Sequence, residues 1–222
     1  MSGGRGVILR PEDVVLCVGK RGTGKSTRAK AMLAAAMAAG QRVLAFDPHD
    51  EYSKHGRDSG QVRLGPLTQR MTLVELADNL DVLEEDGLAL AVVPEGSQRD
   101  KGEDFAALVD DVLDVGELVF LADEVGQWGR YAIEALEELA CQSRHSAVPV
   151  VLVAQRLTQI PKTARTQATQ LNSGRQDNPD DLKALADLAG DDFAVAVARL
   201  ARGEHKHWRD DAGPEPAKGK RK

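Results

Sequence analysis

Short apolar runs alternate with amphipathic segments along most of the chain. Six runs have the length and β-branched content of buried strands: residues 14–18, 42–46, 88–93, 117–122, 148–154 and 193–198. Five segments have helical patterns: residues 26–39, 72–85, 103–114, 131–144 and 180–189. Strands that alternate with helices predict an α/β fold, with a mostly parallel sheet and helices on both faces.

Two segments do not fit this alternation. Residues 49–71 are polar, basic and rich in turn-forming residues, which predicts an elaborated loop. Residues 210–222 ("DDAGPEPAKGKRK") predict a disordered tail with a basic tip. We expect residues 1–209 to form a single domain. The apolar runs are far shorter than the roughly 20 residues of a membrane span, so we expect a chain that does not span a membrane.

The loop after the first predicted strand carries the clearest chemistry. "GKRGTGKS" at Gly19–Ser26 fits the phosphate-binding P-loop pattern G-x-x-x-x-G-K-[ST]. Glycines let backbone N–H groups approach an anion, Lys25 brings a charge to the terminal phosphates, and the Ser26 hydroxyl can bind Mg²⁺. The expected nucleotide contacts are Gly19, Gly22, Thr23, Gly24, Lys25, Ser26 and Thr27. The single domain is therefore expected to be a P-loop ATPase domain.

Composition limits the classes of partner and compartment. A net charge of −6 and a pI near 5.4 exclude a uniformly basic nucleic-acid surface, although not a local basic patch. Cys17 and Cys141 are far apart and neither belongs to a C-x-x-C pair. We expect both to be reduced and buried in a cytoplasmic protein.

A second acidic motif follows the predicted strand at 117–122. "ELVFLADE" ends in Asp123 and Glu124, which is the Walker B pattern. Asp123, at the carboxyl end of a strand, is expected to hold Mg²⁺. Glu124 is expected to act as the general base that polarises the attacking water. Two acids also commonly end a strand at a protein surface, but their position after a P-loop favours the catalytic interpretation.

The block "SRHSAVPVVLVAQR" at residues 143–156 supplies two more candidates. Gln155 ends a predicted strand at the edge where ligands bind in parallel sheets, so it is a candidate sensor of the γ-phosphate or the water. Arg144 precedes that strand. It is either a solvated cation at a helix C-terminus or an arginine finger for a neighbouring subunit's nucleotide.

Other nucleotide enzymes fit less well. A G-x-G-x-x-G dinucleotide fingerprint would need a glycine at Thr27. The guanine signature N-K-x-D is absent, which favours ATP over GTP. A small-molecule kinase has no need of Glu124. A P-loop switch ATPase, which recruits partners without moving DNA, remains an alternative.

Four stretches together resemble the FtsK–HerA superfamily of DNA-pumping ATPases: "GKRGTGKST", "AFDPHDEY", "LVFLADE" and "SRHSAVPVVLVAQRLTQIPKTAR". The resemblance covers about residues 10–210. In length and layout the chain looks most like the short DNA-packaging ATPases of tailless, membrane-containing icosahedral viruses. Asp47 matches the family's D-P-H-G-E-Y stretch, and Asp50 stands where that stretch has glycine.

The resemblance implies a RecA-like core and a homo-oligomeric ring, usually a hexamer, with double-stranded DNA in its pore. It implies ATP and Mg²⁺ as ligands, Lys25 and Ser26 at the phosphates and Mg²⁺, Asp123 and Glu124 as the Walker B pair, Gln155 as sensor and Arg144 as the trans arginine. Such an ATPase would dock on a capsid or on a membrane-anchored partner. We expect it in the host cytoplasm or associated with the virion.

A translocase should contact DNA phosphates without reading sequence. Candidate contacts are Arg156, Lys162 and Arg165 after the sensor strand, and Lys54, Arg57 and Arg63 in the predicted loop. Solvated surface cations are an equally good interpretation of each. The leading hypothesis is an ATP-driven motor that packages a viral genome into a preformed capsid. A plasmid or conjugation-type DNA pump is the alternative within the same class.

Overall fold

A computed structural model describes residues 9–54 and 65–210. In this part of the chain eight strands form one sheet in the order β3-β4-β2-β5-β6-β1-β7-β8. All neighbouring strands are parallel except β7 and β8. The strands are β1 (Val14–Val18), β2 (Arg42–Phe46), β3 (Gln69–Thr72), β4 (Ala89–Val93), β5 (Leu118–Ala122), β6 (Val150–Ala154), β7 (Gln170–Gly174) and β8 (His205–Arg209).

Helices connect these strands. The α-helices are α1 (Lys25–Ala38), α2 (Leu73–Ala77), α3 (Gln98–Val115), α4 (Val125–Trp128), α5 (Ile133–Gln142), α6 (Lys162–Thr166), α7 (Pro179–Ala189) and α8 (Asp191–Ala198). Short 3₁₀ turns occupy Leu80–Glu84, Gly129–Tyr131 and Leu157–Gln159. Side chains cap the starts of α2, α3 and α7; at α3, Ser97 accepts a hydrogen bond from the Asp100 N–H.

Both faces of the sheet are covered, as predicted. Successive strand residues point to opposite faces, so Leu16 and Cys17 of β1 belong to different cores. One core packs against α3, α5 and α7, and the smaller one packs against α1. On the larger side, Phe46, Phe105 and Trp128 pack ring to ring with centroids 4.4–5.3 Å apart. This aromatic cluster supports the segment that follows β5.

The prediction of a strand at residues 193–198 was wrong. "FAVAVA" alternates like a strand, but it forms most of α8. Phe193, Ala194 and Val197 are its buried residues, and that spacing matches one face of a helix. Asp191 and Asp192 in the first turn favour the helix through its dipole.

Three strands were not predicted. β3 lies at the end of the stretch that was expected to be a loop. β7 has the sequence "QLNSG", whose polar residues are nevertheless buried between β1 and β8. β8, "HKHWR", forms the antiparallel edge. The helix predicted at 72–85 is shorter, because only Leu73–Ala77 is α-helical.

Other expectations have mixed outcomes. Cys17 is buried as predicted, whereas Cys141 on α5 is exposed, which corrects the expectation that both thiols are buried. Arg57, Arg63 and tail residues 211–222 lie outside the described residues. No helix in the described parts of the chain has the length and apolar character that crossing a bilayer requires.

Candidate nucleotide-binding site

The loop between β1 and α1 has the backbone of an anion-binding turn. Gly19, Gly22 and Gly24 have positive φ angles of 150°, 77° and 91°. A Cβ at Gly19 would lie 2.6 Å from Thr23 Oγ1, so a side chain there would clash. The Thr23 N–H and hydroxyl donate to the Lys20 carbonyl at 3.2 and 2.8 Å and close the loop. The loop therefore presents its backbone N–H groups at the start of α1.

Lys25 opens α1 beneath this loop. Only 7% of its surface is exposed, and its Nζ lies 3.5 Å from the Lys20 carbonyl oxygen. Burial lowers the pKa of Lys25, and the nearby carboxylates of Glu124 and Asp123 partly oppose that shift. A poorly solvated ammonium gains much from an anionic partner, so Lys25 is suited to bind terminal phosphates. Ser26 and Thr27 follow it in the first turn.

Two buried carboxyl groups end neighbouring strands beside this loop. Asp123 follows β5 and Asp47 follows β2, and the last residues of these strands pair in register. Asp123 is 1% exposed, and burial, with the charges of Glu124 and Asp47, raises its pKa to about 8. Burial also raises the pKa of Asp47, against hydrogen bonds from the backbone of Tyr52 and Glu51. One oxygen of each carboxyl has no hydrogen-bond partner within the described residues.

This chemistry fits Mg²⁺. The ion prefers oxygen ligands and in nucleotide sites takes one or two carboxylates, with phosphate and water oxygens completing its shell. Asp123 and Ser26 are the predicted ligands, and the free Asp123 oxygen is available for that role. The described residues contain no cluster of three His, Cys, Asp or Glu side chains suited to a metal ion. The nucleotide would therefore have to supply part of the coordination.

Glu124 and Gln155 meet at the same edge of the sheet. The Gln155 side-chain amide donates to Glu124 Oε2 at 3.3 Å. Glu124 has φ 50° and ψ 39°, a left-handed conformation that is uncommon for a residue with a side chain. The Trp128 indole N–H donates to the Asp123 carbonyl at 2.9 Å and fixes this segment. A strained backbone held by surrounding contacts is typical of functional positions.

Sequence reasoning missed three polar residues beside Glu124: Gln127, which contacts it, and His49 and Gln98, which contact Gln127. The Gln127 amide nitrogen lies 3.3 Å from Glu124 Oε2 and 3.1 Å from His49 Nε2. Gln98 donates to the other end of the Gln127 amide at 3.3 Å. His49 follows β2 at the carboxyl edge of the sheet and lies within the "AFDPHDEY" stretch of the resemblance, and these two signals in the sequence could have indicated it.

Asp50 forms a turn with a left-handed backbone conformation. It stands in place of the family's glycine, yet it adopts φ 57°. Asp tolerates the left-handed region better than most residues. Arg70 Nε donates to Asp50 Oδ1 at 2.9 Å and holds the turn against β3.

Arg144 lies at the other end of the strands. It is exposed in the connection between α5 and β6, with Nε 3.5 Å from His145 Nε2. Val150 at the start of β6 pairs with Val14, the residue of β1 farthest from the P-loop. Five-residue strands rise roughly 13 Å from first to last Cα. Arg144 therefore lies at the amino ends of the strands, whereas the phosphate loop of its own chain lies at their carboxyl ends.

The three predicted DNA contacts that follow the sensor strand differ in their surroundings. Arg156 Nε donates to the fully buried Asp181 carboxylate at 2.7 Å, and Thr158 donates to its other oxygen. This pair balances much of the Arg156 charge. Lys162 and Arg165 lie on α6, where Lys162 is exposed and Arg165 half-buried. They are the better-placed cations of the three.

A cavity of about 530 Å³ lies beside the P-loop, between the residues that follow β6 and those that follow β7. Lys20 and Arg21 line it from the loop, and Gln155 lines it from the end of β6. Gln176 donates to the Gln155 carbonyl at 2.9 Å, and Asp177 forms an ion pair with Lys20. The space adjoins the candidate sensor, as the terminal end of a nucleotide would.

Comparison with known proteins shows what this site is similar to. Residues 15–109 match the DUF87 family, described as the central domain of the helicase HerA. The predicted resemblance to the FtsK–HerA superfamily is confirmed. The matched stretch contains the P-loop and Asp47 and ends before Asp123. No curated protein sequence matches the chain.

Solved structures show the same fold. The chain is similar to the genome packaging NTPase B204 of Sulfolobus turreted icosahedral virus 2 in complex with AMPPCP, with 17% identity and a TM-score of 0.65 over 90% of this chain and 93% of that one. The conjugation coupling protein TcpA of pCW3, in a monomer form with ATPγS, has 13% identity and a TM-score of 0.56 over 95% of this chain and 64% of that one. These likenesses confirm the predicted P-loop NTPase fold.

Proposed function

We propose that this protein is an Mg²⁺-dependent ATPase that moves double-stranded DNA, and that it packages a viral genome into a preformed capsid. The observation that carries the proposal is the contact of Glu124 with Gln155 beside the P-loop. A general base and a polar sensor at one edge of the sheet are what hydrolysis of a bound nucleotide requires. The structural neighbours named as ATPases, some of them with bound ATP analogues, support the same activity.

The residues divide the hydrolytic step among themselves. The P-loop backbone and Lys25 hold the phosphates, and Asp123 with Ser26 would hold Mg²⁺, which neutralises charge on the β- and γ-oxygens. Glu124 accepts a proton from water as the water oxygen bonds to the γ-phosphorus. The bond from that phosphorus to the bridging oxygen breaks, and ADP and inorganic phosphate leave. Gln155, hydrogen-bonded to Glu124, lies where it can orient the water or the γ-phosphate.

The cations that follow the sensor in the chain support the proposal that the protein moves DNA. Gln155 is followed directly by Arg156 and then by α6, which carries Lys162 and Arg165. A change at the γ-phosphate would therefore pass along a short segment to exposed Lys162 and half-buried Arg165. Arg144, at the amino ends of the strands, would complete a neighbouring subunit's site in a homo-oligomeric ring. We take this ring to be a hexamer.

Genome packaging is favoured over conjugation by the extent of the likeness. This chain aligns with 93% of the packaging NTPase but with only 64% of the coupling protein TcpA. A conjugation-type DNA pump is the second candidate, and the TcpA likeness is the observation in its favour. In either case, we propose that residues 1–209 act as one ATPase domain and that the ring docks on a capsid or on a membrane-anchored partner.

The test is the steady-state ATPase rate with and without linear double-stranded DNA, alongside the solution mass with ATP present. We expect DNA to raise the rate of the wild-type protein and Lys25→Ala to abolish hydrolysis. We also expect an oligomer. Hydrolysis that is indifferent to DNA, from a protein that stays monomeric, would replace the motor with a partner-recruiting switch.

A further inference from the structure

The antiparallel pair of β7 and β8 packs directly on the phosphate loop. A Cβ at Gly174, the last residue of β7, would lie 2.8 Å from the Cβ and Oγ1 atoms of Thr23. The Lys20 N–H points at the Arg175 carbonyl, 3.5 Å away. The loop is therefore contacted by β7, which lies on the other side of β1 from β6.

Two side chains of the segment that leads into β8 face P-loop glycines. Arg202 Nη2 lies 3.4 Å from where a Cβ would stand at Gly22. His205 Nε2 lies 3.3 Å from the same position at Gly24. Both glycines have positive φ and open to these side chains. The guanidinium and the imidazole thus form a wall beside the loop.

The two side chains differ in their surroundings: Arg202 has no acidic partner in the described chain, whereas His205 hydrogen-bonds to the Thr23 backbone of the loop. Arg202 is an exposed residue. His205 is half-buried, and burial together with the Arg28 charge lowers its pKa. An imidazole ring and a planar guanidinium are both good partners for a flat ring or a sugar hydroxyl.

The order of the strands fixes which end of a nucleotide this wall would meet. β1 lies between β6 and β7. Gln155 at the end of β6 and its partner Glu124 would act at the γ-phosphate, so the triphosphate would run from the β6 side towards α1. The nucleoside would then project on the β7–β8 side, where Arg202 and His205 lie.

We propose that Arg202 and His205 form the nucleoside wall of the ATP site, with the Arg202 guanidinium stacked on the base and His205 beside the ribose. This inference rests on the proposed ATPase function. The nucleoside is the part of the ligand that the P-loop does not touch. The proposal assigns its recognition to residues at β8, a strand that the sequence patterns did not predict.

The test separates the nucleoside from the phosphates. Affinities for Mg²⁺–ADP and for Mg²⁺–tripolyphosphate, which lacks a nucleoside, are measured by calorimetry in the wild type, Arg202→Ala and Arg202→Lys. Arg199→Ala is the matched control, because Arg199 is an exposed cation three residues earlier, at the end of α8. Thermal unfolding verifies that each variant is folded.

We expect Arg202→Ala to weaken ADP binding about tenfold, as loss of one stacking contact does, and to leave tripolyphosphate binding unchanged within about twofold. Arg202→Lys should recover little, because an ammonium cannot stack. Equal weakening for both ligands would mean that Arg202 acts on phosphates, and no weakening would mean that it is not a contact; either result overturns the proposal. Failure of the wild type to bind ADP in a Lys25-dependent way would instead overturn the ATPase function itself.

Discussion

The Gln155 side-chain amide donates a hydrogen bond to the Glu124 carboxylate across 3.3 Å. The two residues are 31 positions apart, and the parallel pairing of β5 with β6 brings their strand ends together. Gln127 holds the same carboxylate oxygen at the same distance. The Oε2 atom of the candidate general base is therefore held by two side-chain amides, one of which, Gln155, lies at the end of β6.

Glu124→Gln is expected to bind ATP normally and to lose about 10²–10⁴-fold in turnover, since only the proton acceptor is removed. Phosphate release and binding of a fluorescent ATP analogue measure the two properties separately. Glu95→Gln is the control, because Glu95 is an exposed carboxylate in the loop after β4. Turnover of Glu124→Gln near the wild-type rate would exclude Glu124 as the base.

Charge reversal at Lys162 and Arg165 is expected to weaken binding to double-stranded DNA and to flatten its dependence on salt. Each lost phosphate contact should reduce the slope of log K against log salt by about 0.9. Lys183→Glu on α7 is the control for the charge change of each single reversal, since Lys183 is exposed on another helix. A double variant with an unchanged salt slope would remove α6 from the DNA path.

Arg144→Ala is expected to bind ATP and yet lose most hydrolysis, because arginine fingers contribute about 10³–10⁵ in rate. The sharper test mixes Arg144→Ala with Glu124→Gln, two inactive proteins. Some interfaces in mixed rings pair an intact Glu124 site with an intact Arg144, so activity should partly return. If mass measurements verify mixed oligomers and no activity returns, Arg144 does not act in trans.

Cys17 offers a probe of the strand that carries the P-loop. It is fully buried in β1, and burial raises its pKa to about 12, whereas Cys141 is exposed. In Cys141→Ser, a thiol reagent should therefore reach Cys17 only when β1 opens. If ATP at 100 times its Kd binds only the closed form, it should slow that reaction about 100-fold. Fast labelling that ATP does not change would contradict this placement of the site.

Contiguous motifs were the part of this molecule that the sequence predicted best. The P-loop and Asp123–Glu124 each lie within a few residues of an apolar strand, and the rule that strand ends share an edge was enough to add Gln155. β7 could not be predicted, because its Gln170, Asn172 and Ser173 look like loop residues and are buried only through pairing with β1 and β8. His49 contacts Gln127, and Arg202 lies beside Gly22. These pairs are far apart in the chain, and no local sequence pattern indicates that they meet.

Displacement of a triplex-forming oligonucleotide from linear double-stranded DNA tests the central claim most directly, because only a protein that moves along the duplex can strip the third strand. We predict displacement by the wild-type protein with Mg²⁺ and ATP. None is expected with a non-hydrolysable analogue, or with Glu124→Gln and ATP. Wild-type protein that hydrolyses ATP in the presence of this DNA and leaves the third strand bound would contradict the account of a DNA-translocating motor.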